Sequence, residues 1–204
     1  MSTPARLAKA EPRSSLTPED WIRAATELLI DGSVDAVRID ALARALEVTR
    51  GSFYWLFTDR DDLLERLLLG WQEEQTEQVI EGYRRQGVQR DDLIRELVDL
   101  PSHGRAAARG ASVELAIRAW ARRDDKARRV VDRVDAKRLD YIQDCFAHLG
   151  FAPADARSRA FLLYAYMQSE SLLRNQGSAA DKDHRRRFVA QALLAPATAD
   201  PDKP

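Results

Sequence analysis

The stretch ALARALEVTRGSFYWLF, residues 41–57, sets two short runs of helical period about three residues apart. Ile39, Leu42, Ala43 and Leu46 share one side of a helix over 40–46, and Phe53, Leu56 and Phe57 share one side of a second over 49–57. So short a link forces the two helices to cross steeply, which is helix-turn-helix spacing. The second helix turns Gly51 and Trp55 almost opposite its apolar face, with Arg50, Ser52 and Tyr54 beside them. A glycine inside a helix costs about 1 kcal/mol against alanine, so one on an outward face implies that something approaches the backbone there. A DNA major groove would do so, with Arg50 reaching guanine edges, Ser52 a base or phosphate, and Tyr54 a phosphate. An ordinary helical hairpin, with Tyr54 and Trp55 packed on another part of the chain, fits the same spacing.

The remaining sequence is helical in pattern. TPED, residues 17–20, is a helix start: Thr17 caps, Pro18 suits the first helical position, and Glu19 and Asp20 favour the positive end of the dipole. Its apolar stripe runs to Gly32. One long helix fits 59–85, and others fit 91–100, 111–123, 124–149, 153–175 and 181–194, with breaks expected at Pro101, Gly104, Gly110, Gly150, Pro153 and Gly177. No segment alternates as a strand does, so the chain is expected to be all-α. Residues 1–15, with Arg6, Lys9 and Arg13, read as a flexible arm, and 196–204 as a flexible tail.

Several function classes fall away. The single Cys145 excludes an intrachain disulfide or thiolate zinc cluster and suits a reducing cytoplasm. No window approaches the length of a membrane span and the N-terminus lacks the apolar run of a signal peptide, so no membrane partner is expected. His103, His148 and His184 lack metal-ligand spacing, and neither a phosphate loop nor a nucleophile elbow is present. The expectation is therefore no catalytic residue, no metal, no cofactor and no enzyme activity. A formal net charge of -1 means that any DNA site must be local.

From Thr17 to about Leu68 the chain resembles the DNA-binding region of the TetR family of bacterial transcriptional regulators. ALARALEVTRGSFYWLFTDRDDLL carries that family's helix, Val-Thr turn, Gly-Ser-hydrophobe-Tyr-x-x-Phe run and charged start to the next helix. The resemblance implies an N-terminal three-helix helix-turn-helix domain over 16–60 and a C-terminal helical ligand-binding and dimerisation domain over 61–195. It implies base or near-base contacts at Arg50, Gly51, Ser52 and Trp55, phosphate contacts at Thr49, Tyr54 and Arg60, and a further one at Arg38. Three residues depart from the pattern. Leu56 and Thr58 replace a common His and Lys, and Glu47 replaces the usual turn glycine, at about 1 kcal/mol if that position needs positive φ.

In the family the last two long helices pair across a two-fold axis, here 153–175 and 181–194. Phe161, Leu162, Ala165, Tyr166, Leu172, Phe188 and Leu193 are then candidates for both core and interface. Trp71, Glu114, Trp120, Tyr141, Phe146, Tyr164, Met167 and Gln168 are candidates for a ligand chamber, although a plain core explains most of them. Glu114, if buried, suits a cationic or hydrogen-bond-donating ligand, yet it equally fits a pair with Arg118 one turn on. The expected function is a homodimeric, sequence-specific regulator of a pseudo-palindromic double-stranded DNA operator, a repressor released by a small-molecule effector. The alternative is a helical small-molecule-binding or scaffolding protein that does not bind DNA.

Overall fold

The computed structural model describes residues 16–87, 89–102 and 104–196. The expected arm over 1–15, His103 and the tail from 197 onward lie outside the described residues. Every regular element among the described residues is helical. α1 (Pro18–Asp31) opens on a capping box in which Thr17 and Asp20 satisfy each other's backbone N–H groups. A short 3-10 turn (Val34–Ala36) leads to α2 (Ile39–Ala45), and a second 3-10 helix (Arg50–Trp55) follows. α3 (Arg60–Gln72), capped by Asp59, continues through a π-helical turn (Glu73–Glu77) into α4 (Gln78–Gln86). Then come α5 (Arg90–Asp99), α6 (Gly104–Ala121), α7 (Asp125–His148), α8 (Pro153–Leu172) and α9 (Ala179–Leu194).

Three of these elements differ from the sequence expectation. The segment after the turn is a 3-10 helix, not an α-helix. Gly, Ser, Phe, Tyr and Trp are all poor helix formers, so local preference does not enforce the wider coil and the packing of Phe53 and Phe57 decides. The rod expected over 59–85 is continuous but carries the π turn. Gly110 does not break a helix; it lies inside α6, where an added Cβ would stand 2.9 Å from Gln75 Oε1 on the π turn. The glycine lets α6 approach the rod closely.

Two buried apolar clusters hold these helices. The first joins Trp21 of α1, Leu42 of α2, Phe53, and Leu63 and Leu67 of α3 to Ile117 of α6 and Val131 of α7. Trp21 meets Phe53 edge to face at 5.3 Å, and Phe53 stacks on Phe57 at 5.1 Å. Truncating Trp21, which is fully buried, to alanine should therefore cost about 3–5 kcal/mol. The second cluster gathers Ile80, Ile94, Ile142, Phe146, Leu163 and Leu193 from α4, α5, α7, α8 and α9. α7 runs through both clusters, so the helix-turn-helix unit is packed on the same long helix that floors the C-terminal half.

Candidate functional site

Two regions of the molecule bear on function. The first is the outward side of the 3-10 helix Arg50–Trp55. Phe53 at its centre is fully buried against Trp21, which fixes the segment's rotation. That rotation leaves Trp55 87% and Tyr54 54% exposed. Gly51 is open: an added Cβ would come no nearer than 3.7 Å to Thr49 Oγ1, so nothing inside the chain requires a glycine there. Thr49 and Ser52 pair their hydroxyls at 3.3 Å, and Arg50 Nε stands 3.0 Å from Asp40 Oδ1 at the start of α2. That exposed pair can exchange Asp40 for another acceptor at little cost. Arg38, the N-cap residue of α2, is exposed on the same unit.

Two residues near this surface have structural work of their own. Arg60 turns inward, its Nε donating to Val37 O and its Nη2 to Val34 O, so its guanidinium braces the loop before α2. Long, flexible and at a helix start, it reaches Val37 O and adds a second donor to Val34 O, which already accepts from Val37 N–H. Glu47 sits in the turn with φ 55°, the left-handed conformation that a glycine adopts without strain.

The second region is a knot of charge beneath the π turn. Glu114 of α6 is largely enclosed between Arg118 and Arg138, its side chain 14% exposed. Oε1 accepts from Arg118 Nε at 3.0 Å and Oε2 from Arg138 Nη1 at 2.9 Å. Gln168 Nε2 of α8 donates to Glu114 Oε1 at 2.7 Å. Arg118 also donates to both oxygens of Asp135, and the Tyr164 hydroxyl donates to Asp135 Oδ1 at 2.6 Å. Arg138 then reaches the π turn, donating to Thr76 Oγ1 at 3.0 Å and Gln75 O at 3.1 Å, and its guanidinium lies over the Trp71 ring at 5.7 Å. Burial alone would raise the Glu114 carboxyl, but Arg138 and Arg118 outweigh it and hold it below the usual carboxylate range. Asp135 is lowered in the same way, by Arg118 and Tyr164 against its own burial. Burial, with Glu114 and Asp135 adding to it against Arg138, pushes the Tyr164 phenol up to about 12.

Beside the knot lies a cavity of about 180 Å³ between the rod, α5, α6, α7 and α8. Glu114, Tyr141, Tyr164, Met167 and Gln168 line it. Trp71, Trp120 and Phe146 do not. Trp71 and Trp120 are buried in the first cluster and Phe146 in the second, because each is large and apolar enough to fill core between helices. Glu114 does not offer a free negative charge, since two arginines already neutralise it. Sequence reasoning missed Arg138 and Asp135. The signal was there, since both are charges on the stripe Val131, Val134, Ile142 and Cys145 that α7 buries.

A third surface lies on α8 and α9. They run antiparallel, held by Arg159 Nη1 to Leu193 O and by the Arg185–Glu170 pair. Outside them stand Phe161 and Phe188, each 64% exposed, with Leu162, Leu172 and Leu173. Leu193 turns inward instead, and Tyr166 is half-buried.

Among the described residues no cluster of His, Cys, Asp or Glu is arranged to hold a metal ion, and no helix is long and apolar enough to cross a membrane. Fold and exposed turn together define an all-helical protein with an N-terminal helix-turn-helix unit and a helical second half. Residues 22–67 match the model of the bacterial regulatory proteins of the tetR family. No curated protein matches the sequence. Solved structures share the fold. A transcriptional regulator from Rhodococcus sp. Rha1 is 14% identical with a TM-score of 0.67, covering 88% of this chain and 94% of its own. GusR of Salmonella enterica is 16% identical at 0.64, covering 91% and 95%. NalD, the secondary repressor of the MexAB-OprM multidrug efflux pump in Pseudomonas aeruginosa, is 18% identical at 0.53, covering 87% and 93%. Residues 22–67 are thus similar to the tetR family's regulatory proteins, and over most of its length the chain shares the fold of solved transcriptional regulators.

Proposed function

We propose that this protein is a cytoplasmic homodimeric repressor that binds a pseudo-palindromic operator and is released by a small molecule. The observation that carries the reading is the open face at Gly51, with Tyr54 and Trp55 exposed beside it on a segment anchored by Phe53. Arg50, Gly51, Ser52 and Trp55 would meet base edges, with Thr49, Tyr54 and Arg38 on phosphates. Arg60 would reach a phosphate only by leaving the carbonyls of Val34 and Val37. The dimer would form through Phe161, Leu162, Leu172 and Phe188, a second copy covering the apolar side of α8 and α9; an exposed patch of that kind marks an interface.

Regulation would pass along the rod. Arg138 ties the knot to the π turn, and α3 begins at the DNA-binding unit. A ligand in the cavity that shifts Arg138 would change the π turn, tilt α3 and alter the spacing of the two recognition segments. Linkage then requires DNA to weaken ligand binding by the same factor, typically about 1–3 kcal/mol.

Selection from random double-stranded oligonucleotides, followed by mobility shift, tests the DNA reading. Gly51→Leu should abolish binding while circular dichroism stays unchanged, because the backbone could no longer approach the groove. Normal binding by Gly51→Leu would reject it. The alternative, a helical binding or scaffolding protein without DNA affinity, draws on the inward turn of Arg60 and on Leu56 and Thr58. Failure to enrich any sequence would favour it. Light scattering that finds only monomer at micromolar concentration would remove the dimer.

A further inference from the structure

The cavity beside Glu114 has a size, a wall and a charge balance that together select a ligand chemistry, and the argument rests on reading that cavity as the effector site. An engineered apolar cavity of about 150 Å³ holds benzene. At about 180 Å³ the present one takes a single ring with a small substituent. Its walls come from Val79, Ile80, Leu97, Leu100, Ile142 and Met167. On α6 the small residues Ala107, Gly110 and Ala111 face the rod, and Gln75 stands over Gly110.

The polar end admits no net charge. Glu114 and Asp135 are matched by Arg118 and Arg138, and each guanidinium nitrogen that faces the knot already donates. An anion would compete with two carboxylates for donors already in use. A cation would have to displace an arginine, leaving a buried charge unpaired. Gln168 offers an acceptor at this end. Gln168 spends its amide N–H on Glu114, which fixes the orientation of the amide, and its carbonyl oxygen accepts no hydrogen bond among the described residues. A half-buried carbonyl that lines the cavity can accept from a ligand's donor there.

We propose that the effector is an uncharged single-ring compound bearing one hydrogen-bond donor, of the phenol or benzylic alcohol type, with its ring against the apolar wall and its hydroxyl donating to Gln168. Carboxylic acids and amines of the same bulk are excluded by the balanced knot. A bare hydrocarbon fits the wall but leaves the carbonyl unanswered.

Four probes of nearly equal size separate these chemistries: p-cresol, toluene, benzoate and benzylamine, titrated calorimetrically into the full-length protein at neutral pH without DNA. The expected order is p-cresol first, toluene at least five-fold weaker, and no measurable binding of benzoate or benzylamine. Ala111→Phe, which puts a ring into the cavity, should abolish p-cresol binding. Gln168→Met, close in volume, should erase the difference between p-cresol and toluene. Circular dichroism and thermal melting confirm that both variants fold. Benzoate or benzylamine binding as tightly as p-cresol would overturn the proposal, as would no binding by any probe or p-cresol binding unaffected by Ala111→Phe. A separate operator-release assay keeps the two readings apart. If p-cresol binds and the operator stays bound, the regulatory reading fails while the ligand class stands. If another class of compound releases the operator through this cavity, the ligand class fails and the regulatory reading stands.

Discussion

The recognition segment Arg50–Trp55 and the knot around Glu114 both keep side chains in surroundings that cost stability, and they do so in opposite senses. At the segment, a tryptophan and a tyrosine stand in solvent beside a glycine whose flexibility gains the fold nothing. At the knot, four charged groups on two helices are drawn inward and answered by one another, with Gln168 of a third helix joining them. The segment leaves its outward face open. The knot is complete without an outside partner, so its tolerance for one is narrow and its loss should be felt by the fold itself.

The largest effect expected from this difference falls on stability. Glu114→Ala leaves Arg118 and Arg138 facing each other without their shared carboxylate, which should cost about 3–5 kcal/mol in urea unfolding. Trp55→Ala, at a residue 87% exposed, should stay within about 0.5 kcal/mol. The comparison breaks if the two variants unfold at the same midpoint. Adding Arg138→Met to Glu114→Leu should recover part of the loss, since apolar groups of similar bulk replace buried ions well.

The same difference explains what was legible in the sequence. The helix-turn-helix unit could be read because its determinants are local: Phe53, Leu56 and Phe57 repeat at helical spacing, and Gly51 is conspicuous within a few residues. The left-handed φ at Glu47 meets the condition that followed from the family resemblance, where a glycine usually stands in this turn. The knot could be read only where it is local, in the pair Glu114 and Arg118. Arg138 meets Thr76 and Gln75 across more than 60 positions, and Tyr164 meets Arg118 across 46. Nothing in their spacing announces that. The π turn was invisible for a related reason. Glu73–Glu77 has no unusual local composition, and it is the hold of Arg138 together with the close approach of Gly110 that accompanies the extra residue in the coil.

A second effect separates the regions by pH. Tyr164 is pushed up to about 12, chiefly by burial, so the folded state keeps its proton where the unfolded chain has lost it. Its contribution is fully present below the ordinary phenol value of about 10 and is lost as pH rises through 12, on the order of 2 kcal/mol. Tyr166, likewise raised to about 12 by burial, adds a slope of the same sign. Unfolding followed from pH 9 upward should therefore show falling stability, and Tyr164→Phe should flatten part of the slope. An unchanged slope would mean that Tyr164 ionises in the folded state as it does in the unfolded one.

At the DNA surface, Arg50→Ala should cost about 1–3 kcal/mol of operator affinity and relax base preference at one position per half-site. Competition over operator variants checks this; equal loss for every variant would reject base reading. Arg60→Ala should weaken all sequences alike, with a loss of fold stability of about 1–2 kcal/mol as Val37 O loses its side-chain donor and Val34 O keeps only Val37 N–H. An Arg60 variant that loses affinity at full stability would show the side chain swinging out to a phosphate instead.

The smallest effect concerns the turn itself. Glu47 holds φ 55°, where a side chain costs about 1–2 kcal/mol and a glycine almost nothing. Glycine also gives the unfolded chain more freedom, so Glu47→Gly should net about 1 kcal/mol of stability. The variant removes a negative charge from the DNA-facing unit as well, and operator affinity should rise. Salt separates the two contributions: the charge part fades as ionic strength increases, whereas relief of backbone strain does not. Ligand binding in the cavity should be unmoved, because the turn touches the knot through no shared residue. If Glu47→Gly raised operator affinity by the same factor at low and high salt, the turn's geometry rather than its charge would be setting how well the recognition segment is presented. If it shifted p-cresol affinity too, the two regions would be coupled through more than the rod that joins them.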